Sequence, residues 1–262
     1  MLLLDLALDA ARAAGEAVLA HYGRPLPVDP KADGSPLTRA DLDAHRTLVE
    51  RLRPSGLPVL SEEGEPEAAD RARWRRFWCV DPLDGTKEFV KGSGEFTVNV
   101  ALVEDRVPTL GVVHAPAQGV TYWAAGGRAW KQVGGAEPVP IRARPVPDGR
   151  LVVVASRDHA GPEVDGVVAR AEADGRRVGR TSMGSALKFC LVAEGAADFY
   201  PRTTPTFEWD TAAAQAVVEA AGGGVGTRAS GRLAYNKADL RNPSVFCWGD
   251  PALDWRPWLT PS

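Results

Sequence analysis

The spacing of apolar residues separates helical from extended segments along the chain. Over residues 3 to 22, apolar residues recur every three or four positions, with acids and one arginine between them. This period is typical of an amphipathic helix that packs one face against a core. The predicted inner face consists of Leu3, Ala7, Ala10, Ala14 and Val18.

A second helix is predicted to begin after Thr38. Asp41 stands three residues later, so it can complete a capping box that satisfies the first N–H groups of this helix. From the local pattern alone, Asp41 has this structural role or a functional one. The predicted inner face consists of Leu42, His45, Val49 and Leu52.

Several short segments between residues 77 and 124 have the composition of strands. They are rich in β-branched and aromatic residues and are separated by turns, as expected for a largely buried sheet. Pro82 lacks an N–H and holds the residue before it in an extended conformation, so the first strand is predicted to end there. The predicted strands are residues 77–80, 96–103, 109–114 and 120–124.

Strands and helices alternate in the second half, which predicts an α/β arrangement there. The proline-rich segment 138–147 separates the halves, so we expect an N-terminal α+β part over residues 1–145 and a C-terminal α/β part over 146–262. The predicted elements after it are strands at 151–155, 177–181 and 199–200 and helices at 163–174, 184–194 and 210–221.

Composition excludes several classes of function. The formal net charge of −3 offers no extended positive surface for nucleic acid or for an anionic membrane. Acidic residues interrupt the first apolar run, so neither a signal peptide nor a membrane span is predicted. Three widely spaced cysteines in apolar runs predict buried, reduced thiols and a cytoplasmic protein. The oligomeric state is not predicted.

Candidate chemistry is concentrated in the segment 81–86, Asp-Pro-Leu-Asp-Gly-Thr. On a tight turn, Asp81 and Asp84 can converge on one point, and Gly85 lets a ligand approach the backbone. Two converging carboxylates repel each other, so a hard cation is the natural third partner. An isolated Asp-Gly turn is also a common plain loop.

Two further acidic segments favour the functional interpretation. Glu62 and Glu63 follow the short apolar run 58–60, and Asp210 lies near the start of a helix of small residues. Three separate loops thus present carboxylates where ordered structure begins or ends. Oxygen donors of this kind suit Mg²⁺ better than zinc or a redox metal.

These three motifs, in this order, resemble those of the inositol monophosphatase superfamily of Mg²⁺-dependent, lithium-sensitive phosphatases. Residues 81–89, 94–101, 111–116 and 187–195 are most similar to the CysQ-type 3′(2′),5′-bisphosphate nucleotidases within it. The resemblance implies a layered α-β-α-β-α sandwich, with the metal-binding loops where the two halves join. One departure is Ala214, where the superfamily motif has glycine.

The resemblance also implies roles for particular residues and two or three Mg²⁺ ions. Glu62, Asp81 and the Leu83 carbonyl are expected to hold the ion that activates water. Asp81, Asp84 and Asp210 are expected to hold the ion beside the leaving oxygen. Thr86, hydrogen-bonded to Asp41, is expected to orient the water, while the N–H groups of Gly85 and Thr86 receive phosphate oxygens.

By the same resemblance, Ser156, His159 and Lys188 match positions that contact a nucleotide, and Glu62, Leu83, Asp84 and Asp210 border the substrate. The expected substrate is 3′-phosphoadenosine 5′-phosphate, together with its sulfated relative. A phosphatase of inositol or another polyol phosphate would share every metal ligand. A third alternative is a non-catalytic protein that binds a phosphorylated metabolite.

Overall fold

Helices occupy the segments in which apolar residues recur at helical spacing. The computed structural model describes residues 2–24, 29–30, 36–64, 66–146, 149–155, 161–229 and 231–259. Most boundaries lie within three residues of those predicted. The helices are α1 Leu3–Leu19, α2 Arg39–Leu52, α3 Ala68–Arg71, α4 Thr86–Lys91, α5 Pro162–Ala173, α6 Leu187–Ala193 and α7 Glu208–Ala220.

The strands form two main sheets, one from each half of the sequence. Those of the first half are β1 Asp29–Pro30, β2 Pro36–Leu37, β3 Val59–Ser61, β4 Arg76–Asp84, β5 Thr97–Glu104, β6 Val107–Ala115, β7 Val120–Ala125, β8 Arg128–Val133 and β9 Val139–Ile141. Those of the second half are β10 Arg150–Ala155, β11 Arg177–Ser182, β12 Phe199–Arg202, β13 Thr206–Phe207, β14 Gly224–Gly226, β15 Arg241–Asn242 and β16 Val245–Trp248.

The first sheet has seven strands in the order β3-β4-β5-β6-β7-β8-β9. Only its β3–β4 pair is parallel. Successive side chains of β4 point to opposite faces, as the pleat requires. Trp78 and Val80 pack against α1 and α2, whereas Phe77 and Cys79 join the core that contains α6 and α7.

The second sheet has the strand order β11-β10-β12-β16-β14. One of its faces shares the central core with α6 and α7, and the other packs on α5 together with Trp255 and Trp258. The layers are therefore helices, sheet, helices, sheet and helix. This is the predicted α-β-α-β-α sandwich, which is confirmed; the division at residue 145 stays a prediction.

The inner face of α2 differs from the predicted one. Leu42 and Val49 are each 38% exposed, whereas alanines and leucines spaced four apart are buried. Of the predicted apolar residues only Leu52 is buried, and the prediction missed the two alanines and Leu48 that lie on the same face. The buried apolar residues of α2 are Ala40, Ala44, Leu48 and Leu52.

Helix α7 lies very close to the first sheet. A Cβ added to Gly111 of β6 would lie 2.2 Å from the carbonyl oxygen of Ala213, so only glycine permits this approach. The contact holds α7 against the face of the sheet that also contains β4. Ala214 is buried in the same core. Among the described residues, no helix is both long enough and apolar enough to cross a membrane.

Candidate active site

A cleft of about 250 Å³ opens at the end of β4, beside the start of α7 and the loop that leads into α6. Both sheets contribute residues to it. It is lined by Glu62, Asp81, Leu83, Asp84, Gly85, Thr86, Lys87, Glu88, Ser185, Ala186, Lys188, Phe189, Tyr200, Arg202, Thr206 and Asp210.

Strand β4 carries two of the carboxylates and is longer than predicted. It continues through Pro82 to Asp84, so the expected end at Pro82 is wrong. Pro82 instead interrupts the pairing with β5: Asp81 pairs with Asn99, and the next paired residue is Asp84, opposite Thr97. Because of this irregularity, the sheet needs no hydrogen bond from residue 82, where proline has no N–H. Asp81 and Asp84 both line the cleft.

Asp81, Asp84 and Asp210 converge as the sequence predicts. One carboxylate oxygen from each lies within 4.8 Å of the other two. Asp84 Oδ2 accepts hydrogen bonds from the Ala186 N–H at 2.6 Å, Thr97 Oγ1 at 3.2 Å and Asn99 Nδ2 at 3.3 Å. These bonds fix the orientation of the Asp84 carboxylate within the cluster.

The cluster is electrostatically costly without a counter-ion. Burial, followed by repulsion from Glu62, Asp84 and Asp210, raises the pKa of Asp81 well above its ordinary value. Burial and the charges of Asp84 and Glu62 raise the pKa of Asp210 to about 8. Asp210 Oδ2 accepts one hydrogen bond from the Phe207 N–H, at 2.8 Å.

The donor set fits a hard cation. Asp81 Oδ1 accepts the Leu83 N–H at 3.0 Å, but the buried Oδ2 has no hydrogen-bond partner. An unpartnered carboxylate oxygen among other carboxylates is disfavoured unless a cation binds it. Oxygen atoms alone make up this set, as Mg²⁺ prefers.

Thr86 and Asp41 are in contact, as the resemblance implies. Thr86 Oγ1 lies 3.3 Å from Asp41 Oδ1 and 3.2 Å from the Leu83 carbonyl oxygen. Asp41 also forms the predicted capping box, because its Oδ2 accepts from the N–H and hydroxyl of Thr38 at 2.7 and 2.6 Å. Its two oxygens therefore serve different partners, one structural and one in the cleft.

Gly85 allows the turn between β4 and α4. Its φ of 91° lies in the region that favours glycine, and its carbonyl accepts the Phe89 N–H at 2.9 Å as α4 begins. Gly85 and Thr86 both line the cleft. The predicted contact of their N–H groups with phosphate stays a prediction.

Lys188 is buried at the wall of the cleft, with 4% of its surface exposed. Its Nζ donates to the carbonyls of Ser185, at 2.8 Å, and Met183, at 3.3 Å. Burial lowers the pKa of Lys188 to about 8, although the nearby Asp84 carboxylate acts in the opposite direction. Lys188 thus supports the loop before α6 and places a cation beside the acidic cluster.

Sequence reasoning missed Arg202, which lies at the end of β12 and lines the cleft. Its Nε is buried without a hydrogen-bond partner, and the same is true of Ser185 Oγ. The available signal was the apolar pair Phe199-Tyr200, which places Arg202 at a strand end, where ligands gather in α/β sheets. The predicted contacts Ser156 and His159 lie outside the described residues.

Trp209, next to Asp210, is buried and stacks on Phe207 with ring centroids 4.9 Å apart. The three cysteines are buried and free, as predicted.

The fold and the acidic cleft agree with the comparisons to known proteins. The model of the inositol monophosphatase family matches residues 2–253. The chain therefore belongs to the inositol monophosphatase family, whose members are metal-dependent phosphatases, and the predicted family and enzyme class are confirmed.

Within this family, the similar proteins include nucleotidases. The chain is 48% identical over 229 residues to the 3′(2′),5′-bisphosphate nucleotidase CysQ of Escherichia coli K12, covering 84% of this chain and 88% of the relative. The crystal structure of CysQ from Bacteroides thetaiotaomicron shares 42% identity and a TM-score of 0.82, covering 94% of this chain and 96% of that one. An IMPase from Thermotoga maritima shares 28% identity and a TM-score of 0.72, covering 94% and 91%.

Proposed function

We propose that the chain is a Mg²⁺-dependent 3′(2′),5′-bisphosphate nucleotidase. It removes the 3′-phosphate of 3′-phosphoadenosine 5′-phosphate, or of 3′-phosphoadenylyl sulfate, to give AMP or adenylyl sulfate and phosphate. The observation that carries the proposal is a single cleft that contains a carboxylate cluster together with cationic side chains, among them Lys188 and Arg202. The similarity to CysQ nucleotidases supports the choice of substrate.

Residues of the cluster would hold two or three Mg²⁺ ions. Asp81 would contribute to both sets of ligands, Glu62 and the Leu83 carbonyl would complete one set, and Asp84 and Asp210 would complete the other. When bound, the ions neutralise phosphate charge and lower the pKa of a bound water. The protein contributes rigid carboxylates whose mutual repulsion favours cation binding.

Thr86 and Asp41 orient the attacking water. The Thr86 hydroxyl can accept a proton from water only if it passes its own proton on, and Asp41 Oδ1 lies 3.3 Å away to receive it. Because the capping box holds the other oxygen of Asp41, the carboxylate is fixed in one orientation. Positioned proton transfer of this kind contributes about 10²- to 10⁴-fold to the rate.

A substrate with two anionic groups needs cations for the group that is not cleaved. Arg202 offers a buried Nε with no protein partner, and Lys188 places its Nζ in the same cleft. A polyol monophosphate has no second anion and gains nothing from these charges. Contacts from Ser156 and His159, and the cytoplasmic location, stay predictions.

The direct test is phosphate release from four substrates, with and without Mg²⁺: 3′-phosphoadenosine 5′-phosphate, its sulfated relative, AMP and inositol 1-phosphate. We expect Mg²⁺-dependent phosphate release, with the highest kcat/KM for 3′-phosphoadenosine 5′-phosphate and its sulfated relative. We also expect inhibition by lithium, because the chain resembles a lithium-sensitive superfamily. A preference for inositol 1-phosphate would assign the chain to the polyol phosphatases. Absence of release from all four would favour a non-catalytic binding protein.

The basis of specificity is tested by Arg202→Gln and Lys188→Ala. Each is expected to raise KM for 3′-phosphoadenosine 5′-phosphate several-fold while barely changing hydrolysis of a small monoester, because only the bisphosphate uses the second anion site. Arg150→Gln is a matched control, since Arg150 is exposed at the start of β10, whereas Arg202 lies at the end of the parallel strand β12. Equal losses for both substrates would contradict this role.

A further inference from the structure

We infer that His45 is a positioning residue that holds the turn carrying Glu62 against helix α2. The inference rests on the proposed metal-dependent function, in which Glu62 is a ligand. Glu62 lies in a short turn after β3 that is closed by the hydrogen bond from the Gly64 N–H to the Ser61 carbonyl, at 3.1 Å. A turn of this length needs outside support if its carboxylate is to keep one position.

His45 supplies that support through a side-chain hydrogen bond. Its Nδ1 lies 2.8 Å from Ser61 Oγ, and Ser61 is 1% exposed. The same Ser61 Oγ accepts the N–H of Glu63 at 3.4 Å. The serine hydroxyl therefore connects helix α2 to the backbone on either side of Glu62.

The imidazole ring also packs directly on the end of the turn. A Cβ added to Gly64 would lie 2.9 Å from His45 Cε1 and 3.3 Å from Nε2, so the ring rests against the glycine. Contact at both Ser61 and Gly64 leaves Glu62 between two fixed points. The Glu62 N–H additionally donates to the Val80 carbonyl at 3.4 Å, next to Asp81.

Helix α2 thereby connects two parts of the site. Asp41 and His45 are four residues apart, so they lie on one face of the helix, one turn from each other. Asp41 contacts Thr86, and His45 contacts the Glu62 turn. A single rigid helix thus sets the distance between the Glu62 ligand and the Thr86 hydroxyl, which are expected to act on the same water.

The test measures Mg²⁺ affinity without substrate, from the rise in unfolding temperature as Mg²⁺ is added. His45→Leu and Ser61→Ala each remove the hydrogen bond, and we expect both to need about 10-fold more Mg²⁺ for half of the rise, the scale of losses at groups that orient metal ligands. The half-saturating Mg²⁺ for phosphate release should shift by the same factor. His45→Asn, which keeps a polar atom near the Nδ1 position, should recover most of the affinity.

His21→Gln is the matched control. His21 lies just after α1, and its Nε2 makes a hydrogen bond of the same length, 2.8 Å, to Asp43 on α2. This bond connects α2 to the end of α1 and not to the Glu62 turn. The His21→Gln variant should keep the wild-type Mg²⁺ dependence. Loss of apo stability in both His45→Leu and Ser61→Ala with an unaltered Mg²⁺ dependence would overturn the inference. A wild-type protein that shows no Mg²⁺ response would instead overturn the proposed function, and the inference with it.

Discussion

Two acids on the first turn of α7 have opposite electrostatic surroundings. Glu208 is fully buried, yet its carboxylate accepts the N–H groups of Asn236 and Lys237, at 2.6 and 2.9 Å, and the Lys237 ammonium at 2.7 Å. Asp210, two residues later, accepts one backbone N–H and lies among other carboxylates. The first acid is satisfied by the protein, whereas the second is satisfied only if a cation binds.

Buried acids elsewhere in the molecule show the same contrast. Asp198 is fully buried but is paired with Arg144 and with the Val152 N–H. Asp81 is equally buried and retains an oxygen without a partner. Burial alone therefore does not mark a functional acid. The mark is burial among like charges with hydrogen-bonding capacity left over.

The largest effect is expected when the cluster loses one charge. Asp81→Asn should abolish turnover, because Asp81 is the proposed ligand of more than one ion. Without Mg²⁺ the variant should unfold at the wild-type temperature or above, since repulsion with Glu62, Asp84 and Asp210 is removed. Phosphate release and thermal unfolding in EDTA measure the two quantities. Substantial remaining activity would refute the shared-ligand assignment.

The paired acid should behave in the opposite way. Glu208→Ala leaves the Lys237 ammonium and two N–H groups without their buried partner, so we expect a loss of about 3 to 5 kcal/mol in the free energy of unfolding. Denaturant unfolding with and without Mg²⁺ should give the same loss. If Glu208→Ala were as stable as Asp81→Asn, the distinction between the two kinds of acid would fail.

Asp41 combines both kinds of surroundings and offers an intermediate test. Thr86→Ala and Asp41→Asn should each lower kcat by about 10²-fold, the scale of positioned proton transfer. The double variant should be little slower than either single variant, because residues that act as a unit are not additive. Steady-state kinetics at saturating Mg²⁺ provide the comparison. Fully additive losses would mean that Asp41 only caps α2.

The smallest effect concerns a buried group that must stay neutral. His114 packs against Gly15 of α1, and burial, then the charge of Arg12, lowers its pKa to about 4. The unfolded chain binds this proton near pH 6.5, so between pH 6.5 and 4 it holds more protons than the folded state. Stability should therefore fall with falling pH, by about 3 kcal/mol at most from this residue. Denaturant unfolding at pH 7 and pH 4 measures it, and His114→Gln should reduce the acid-dependent loss.

Local patterns were sufficient for the order of elements and for the acidic donors. The Asp-Pro-x-Asp-Gly-Thr turn, the Glu62 turn and the start of α7 each have turn or capping chemistry that depends on neighbouring residues only, so Asp81, Asp84 and Asp210 were identified directly. The capping box of Asp41 was predictable for the same reason. Ordinary apolar periods sufficed for the long helices and for the strands β4 to β7 and β10 to β12, but β8, β9, β14 and β16 were not predicted.

The tertiary structure decided what these residues contact. The extension of β4 past Pro82 depends on β5, the inner face of α2 depends on α1, and the presence of Arg202 in the cleft depends on the pairing of β12 with its neighbours. Whether an acid on α7 is paired depends on Lys237 or on Asp84, which are 29 and 126 residues away from Glu208 and Asp210. Electrostatic energy is set by distance in space, and no local pattern in the sequence contains it.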